Sequence, residues 1–177
     1  INRLRLNAQY RYDERDNQTP REDYVYDVMD SGTASTVAVT NQPVSYRKHK
    51  ASLDANYRFS SEWRGSAGYE YRRTAREFTD VEKSGEHSGA ARDNRRPRDD
   101  LDAGLRFSRS TRDASDYQAE DPNQNPLLRK YYLTDRDRTK AGVTVSYSPT
   151  TALNLGISAD FMDDDYTDSS LGLTDAD

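Results

Sequence analysis

The residues able to do chemistry are few and poorly placed for it. His49 and His87 are the two histidines, and neither has a second ligand at i+2 or i+4 that would begin a zinc or haem-iron site. Both read as loop or rim residues. Asp163, Asp164 and Asp165, with Asp168 nearby, gather hard oxygen donors that suit calcium, but the glycine and terminal glutamate of an EF-hand loop are missing. The run reads more readily as a solvated acidic loop, with calcium the weaker alternative. Carboxylates are dense again over 113–120 and 135–137, as paired acid catalysis would require, yet no base, nucleophile or oxyanion arrangement accompanies them, so the chain does not read as an enzyme. The absence of cysteine removes disulfides, thiolate metal sites and covalent attachment of c-type haem. Any haem chemistry must belong to a partner.

The elements that would position these residues first look improbable. Of 177 residues only 33% are hydrophobic and 32% are charged, with a mean hydropathy of −1.13. A soluble domain usually holds about 45–50% apolar residues, and so polar a chain would be disordered were it not for thirteen tyrosines, since disordered segments are poor in aromatics. A net charge of −5 argues against nucleic acid as a partner, because phosphate binding needs a basic excess. No apolar run is long enough for a transmembrane helix. The chain opens at Ile1 without a methionine or a basic-then-apolar leader, and reads as an interior piece of something longer.

Period resolves the contradiction. Leu4, Leu6, Ala8, Tyr10 and Tyr12 alternate with Arg3, Arg5, Asn7, Gln9 and Arg11, which is the signature of a two-faced strand. The pattern returns in Ala51, Leu53, Ala55, Tyr57, Phe59, in Trp63, Gly65, Ala67, Tyr69, Tyr71, in Leu101, Ala103, Leu105, Phe107, in Ala141, Val143, Val145, Tyr147, and in Leu153, Leu155, Ile157, Ala159, Phe161. A seventh strand is expected over about 85–95. Its register is ambiguous: one choice turns His87, Gly89, Ala91, Asp93 and Arg95 to the apolar side, the other Arg92, Asn94 and Arg96.

Segments of roughly 12–14 residues are long against the five or six usual in a globular sheet. Tilted by about 40°, such a strand rises about 30 Å, enough to cross the hydrocarbon of a bilayer. Short connections are expected at about 60–62, 96–99 and 148–151, with serine and proline in turn positions, and long polar ones at about 13–45, 76–84, 113–134 and 163–177. Strict alternation of short and long connections is the habit of outer-membrane barrels, short on the periplasmic side and long outside the cell. The aromatics form two bands on the apolar face. Tyr57, Phe59, Trp63 and Tyr147 lie beside the short turns, and Tyr10, Tyr12, Tyr69, Tyr71, Phe107 and Phe161 at the far ends, as in the interfacial girdles of such barrels. The fold expected is all-β: an antiparallel up-and-down transmembrane barrel, of which about seven strands are seen. An odd count and an open edge imply a larger closed barrel, because unpaired amides in lipid are costly.

The opposite face would line the lumen, and it is basic. Arg3, Arg5, Arg11, Lys48, Lys50, Arg58, Arg64, Arg72, Arg106, Arg138 and Lys140 point there, with Asp54, Glu70, Asp102 and Asp160 as cross-strand partners. Such a wall either balances itself as a solvated, salt-paired surface or faces an acidic guest.

Several stretches carry a family likeness. Arg112-Asp113-Ala114-Ser115-Asp116-Tyr117-Gln118 and Asn125-Pro126-Leu127-Leu128-Arg129-Lys130-Tyr131-Tyr132-Leu133-Thr134-Asp135-Arg136-Asp137-Arg138 resemble the MtrB/PioB family of decahaem-associated outer-membrane proteins. So do Ser146-Tyr147-Ser148-Pro149-Thr150 and the tail from Asp163-Asp164-Asp165-Tyr166 to Leu171-Gly172-Leu173-Thr174-Asp175. The likeness is strongest over about 98–177, looser over 46–97, and lacking in the loop from 14 to 45. It implies a porin-like barrel in the bacterial outer membrane that sheathes a periplasmic decahaem c-type cytochrome and often docks an extracellular multihaem cytochrome. Haem c would be carried by those partners and electrons would cross the membrane along it, the extracellular electron transfer that underlies metal reduction. Two rivals remain open: a diffusion porin or transporter with an anion-preferring lumen, and a soluble β-rich binding domain.

Overall fold

The computed structural model describes residues 3–30, 33–118, 125, 127–167, 169, 171 and 173–176. The architecture is all-β and antiparallel. One sheet of eight strands runs in the order β1 (Leu4–Arg15), β4 (Tyr46–Arg58), β5 (Trp63–Arg76), β6 (Lys83–Arg98), β7 (Leu101–Ala114), β8 (Arg136–Thr150), β9 (Leu153–Asp165) and β10 (Asp175–Ala176). Neighbours in the sheet are neighbours in sequence, apart from a hairpin of β2 (Asp23–Asp30) and β3 (Thr33–Thr40) set between β1 and β4. The connection expected over 13–45 therefore holds two strands of its own. Thr40 Oγ1 donates to Asp23 Oδ1 at 2.6 Å and Thr36 Oγ1 to Asp27 Oδ1 at 3.0 Å across that hairpin.

Side-chain period and register agree along the whole sheet. Leu6, Ala55 and Ala67 lie abreast on β1, β4 and β5, and Leu105, Val143 and Ala159 do so on β7, β8 and β9, so one face carries an apolar band on either side of β6. That face is bare: Ile157 is 76% exposed, Leu6 62% and Leu105 59%. A water-soluble fold buries such residues. Among the described residues the buried apolar side chains are Val81, Leu133 and Tyr166, each from a connection rather than from the sheet.

The strand expected over about 85–95 is β6, and its ambiguous register is resolved. Trp63, Gly65, Ala67, Tyr69 and Tyr71 pair with Arg95, Asp93, Ala91, Gly89 and His87, which puts His87, Asp93 and Arg95 on the apolar face. Aromatic neighbours make this tolerable. Trp63 Nε1 donates to Asp93 Oδ1 at 2.8 Å, Arg95 Nη2 meets Asp93 Oδ2 at 2.9 Å, and the Arg95 guanidinium lies 4.8 Å from the Trp63 ring centroid. Two of the short connections are displaced from where proline suggested them. β6 runs on to Arg98 and β8 to Thr150, so the turns fall at 99–100 and 151–152. Pro97 and Pro149 sit inside register shifts between Arg95 and Arg98 and between Tyr147 and Thr150, where a residue without an N–H costs no ladder bond.

The aromatic bands are real contacts as well as a pattern. Phe59 stacks on Trp63 with centroids 4.0 Å apart and meets Tyr57 edge-on at 4.7 Å. The Phe59 ring covers Gly65, where a Cβ would stand 3.0 Å from Phe59 Cε2, so an aromatic side chain fills the gap a strand glycine leaves. At the other end His49 and His87 lie within β4 and β6 rather than in loops, among the tyrosines of the far girdle. Each sits opposite one tyrosine and bonds the next: His49 Nδ1 is 2.7 Å from Tyr10 Oη and faces Tyr12, and His87 Nδ1 is 2.5 Å from Tyr69 Oη and faces Tyr71.

Candidate functional site

The polar face is the surface on which charged side chains converge, and the strand registers sort it into transverse rows. Nearest the short turns, Arg58 N donates to Arg3 O at 2.8 Å, and Arg58 pairs with Arg64, which pairs with Asn94. Three arginines thus stand side by side on adjacent strands about 4.8 Å apart. The next row reads Arg5, Asn56, Ser66, Arg92, Arg106, Gly142, Asp160. Two hollows open here, of about 490 and 760 Å³, the first along Arg3, Arg58 and Arg64 and the second along Arg5, Asp54 and Arg92.

Like charges facing each other across a ladder destabilise it, and the sheet answers this differently along its length. Toward the long connections, Arg11, Lys50, Arg72, Glu86, Arg112 and Arg136 form one row threaded by carboxylates. Glu70 holds Lys50 at 2.7 Å and Arg72 at 2.9 Å, while Glu86 holds Arg136 at 2.9 Å and Arg72 at 3.7 Å. Arg138 forks onto Asp164. Midway, Arg106 reaches Asp160 across the intervening strand, Nε to Oδ1 at 2.9 Å. Gly142 makes the crossing possible, because a Cβ there would lie 2.5 Å from Asp160 Oδ1 and against the Arg106 side chain. Among the described ion pairs no carboxylate reaches Arg3, Arg5, Arg58, Arg64 or Arg92, nor, farther along the face, Arg11, Lys48, Arg76, Arg112 or Lys140.

All the residues expected on the basic wall therefore share this face by register, Lys48 and Lys140 included. Arg76, Arg92, Arg112 and Arg136 join them, missed because strand ends and the β6 register were set too short or left open. Of the expected acidic partners, Glu70 and Asp160 bind bases of the wall, whereas Asp102 pairs with Arg96 at 2.8 Å beside a turn. The carboxylates proposed for calcium are separated: on β9, Asp164 lies on the polar face with Arg138, whereas Asp163 and Asp165, its neighbours along the strand, point to the other side. Asp168 lies outside the described residues. Among the described residues no group of three or more acidic or histidine side chains gathers as a metal site.

The connections close over one end of this face. Arg112, projecting from β7, donates from Nε to the Thr134 carbonyl and from Nη2 to the Tyr131 carbonyl, both at 2.7 Å. The segment before β8 is thereby drawn across the sheet, and Tyr132 helps line a recess of about 310 Å³ with Arg72, Glu86 and Arg112. Behind it, Asp80 is 3% exposed and meets the Lys130 ammonium and, at 3.1 Å, the Tyr117 hydroxyl. Burial disfavours the Lys130 ammonium, but the hydrogen bond and charge of Asp80 outweigh it and raise the lysine above its ordinary pKa.

The sequence that builds these faces has relatives among known proteins. A family model for outer membrane beta-barrel porins, MtrB/PioB, matches residues 1–177. Outer membrane protein MtrB of Shewanella baltica (strain OS185) is 34% identical over 178 residues, covering 99% of this chain and 25% of its own length. The chain thus spans about a quarter of the curated relative it matches. An all-β sheet with a bare apolar face is what such a barrel requires of its wall. The chain belongs to the MtrB/PioB family of outer-membrane β-barrel porins, and its place is the bacterial outer membrane.

Proposed function

We propose that this stretch of barrel wall turns its apolar face to lipid and its polar face inward, where it sheathes a periplasmic multihaem c-type cytochrome. The sheath holds the cytochrome and insulates it, so that electrons cross the outer membrane along the partner's haems. The observation that carries this reading is the excess of base on the polar face, only part of which meets a carboxylate among the described ion pairs. Such a surface suits an acidic guest or haem propionates. No residue of the chain is assigned a catalytic role or a haem ligand: with no cysteine, the redox centres belong to the partner, and an extracellular cytochrome can dock at the long connections.

The test is a deletion of the full-length gene product in cells reducing an extracellular acceptor, with purification of the tagged protein from detergent extracts. Loss of transmembrane electron transfer and co-purification of a haem-containing protein are expected. Undiminished transfer in the deletion strain would sink the reading. The same basic wall also suits an anion-preferring diffusion porin. That reading gains if the complete protein conducts as an open, anion-selective channel and no haem protein accompanies it.

A further inference from the structure

The arginines nearest the short turns raise a specific question, since the sheet threads Glu70 and Glu86 among its bases toward the long connections but only neutral side chains among Arg3, Arg5, Arg58, Arg64 and Arg92. Arg58 and Arg64 are direct cross-strand partners, Arg3 is the next residue in the same row, and Arg5 and Arg92 stand in the row behind. The residues set among them are Asn56, Ser66 and Asn94, which are neutral and short. Of the acids that line hollows with these arginines, Asp54 and Glu62 take part in no described ion pair and Asp102 pairs with Arg96. Like charges directly opposite one another cost a sheet stability, and a counter-charge supplied from elsewhere relieves it.

We infer that this arginine row at the short-turn end of the polar face is the docking site for a carboxylate-rich surface of the guest protein held inside the barrel. This inference rests on the sheath reading and sharpens it to one end of the wall. Two observations favour a protein surface over a small anion. The row and the one behind it spread over four strands, a width of about 14 Å at the usual strand spacing, wider than a single phosphate or carboxylate can bridge. The two hollows along the row are open rather than enclosing, with asparagine and serine between the guanidiniums, so several carboxylates can be met at once by bidentate forks. Complementary charge of this kind acts through specificity and association rate, and it weakens with salt.

The experiment uses the full-length barrel, immobilised with its haem-containing guest, and reads the KCl concentration that releases half of the Soret absorbance. Neutralising the row with Arg3→Gln, Arg58→Gln and Arg64→Gln should release the guest at about half the wild-type salt or less. A control that removes the same charge from the opposite face, Arg47→Gln, Arg73→Gln and Arg109→Gln, should release it close to the wild-type value. In a second variant, Arg58→Lys with Arg64→Lys, charge is kept and an amine is introduced that carbodiimide can couple to a carboxylate. Mass mapping should then find cross-links from positions 58 and 64 to acidic residues of the haem protein. This variant decides the matter if the glutamine triple fails to insert. Release of the row variant and the control at the same salt, or cross-links confined to acidic residues of this chain, overturns the inference while leaving the sheath intact. A wild-type barrel that retains no haem protein at any salt overturns both.

Discussion

Val143 and Thr144 offer the cleanest measurement of which face meets lipid. They are adjacent on β8, Val143 pairing with Leu105 and Ala159 on the apolar face and Thr144 with Gly104 and Ser158 on the polar one. Val143 lies seven residues from either end of the strand Arg136–Thr150, so with a rise of about 3.3 Å per residue and a tilt near 40° it stands about 18 Å from each end, at the bilayer midplane. An arginine on the lipid face at that depth costs about 2–4 kcal/mol, which is roughly a 30- to 900-fold shift in the folding equilibrium. Thr144→Arg puts the same charge into a wet interior already rich in arginine, and the cost there should stay below about 1 kcal/mol. The assay is urea titration of the complete barrel in lipid vesicles, with the folded fraction read from heat-modifiable gel migration. Val143→Arg should move the midpoint far more than Thr144→Arg. Equal effects, or a larger one at Thr144, would refute the assignment of faces and with it the placing of the basic rows.

Other consequences can be checked one at a time. Asp93→Ala strands the Trp63 indole N–H and the Arg95 guanidinium on the apolar face, whereas Trp63→Phe forfeits one hydrogen bond; in urea titration Asp93→Ala should lower the midpoint further than Trp63→Phe. The Lys130–Asp80 pair sets an alkaline limit for the loop core. Because the lysine is raised above its ordinary value, its stabilisation is complete below about pH 10.4 and is lost as pH climbs through the higher folded value. Hydrogen exchange at the Gln118 amide, which donates to the Asp80 carbonyl at 2.8 Å, should therefore accelerate beyond base catalysis only above that pH, and Lys130→Met should remove the inflection.

How far the sequence reveals this molecule depends on whether each signal lies along one strand or between strands. Period 2 is written along the chain, so Leu4 to Tyr12 or Leu153 to Phe161 shows both the strand and its faces without any neighbour. β6 is different. The choice that puts Asp93 and Arg95 on an apolar face makes sense only beside Trp63, and that of His87 only beside Tyr69 and Tyr71, all some 16 to 32 positions earlier in the chain. The β2–β3 hairpin was hidden by its setting in a polar connection, although tyrosine and valine alternate in Tyr24, Tyr26, Val28 and again in Val37, Val39. The loop core is illegible for another reason. Val81, Leu133 and Tyr166 come singly from three connections, so no local pattern marks any of them as buried. The arginine row lies between these cases: each member is visible as an inward residue, but their alignment on adjacent strands exists only in the register.

That register also guards its own formation. A slip of one residue between β4 and β5 would carry Arg64, Arg72 and Glu70 to the outer face, into hydrocarbon on a sheet set in a bilayer. A slip of two restores the faces, and in the direction that sets Glu70 opposite Asp54 it parts Glu70 from Lys50 and brings two carboxylates abreast. Wrong pairings of the first kind are thus rejected by the membrane, and this one of the second kind by the wall's own charge. The strict alternation that made the chain look too polar to fold is what keeps a one-residue misalignment of its hairpins out of the bilayer.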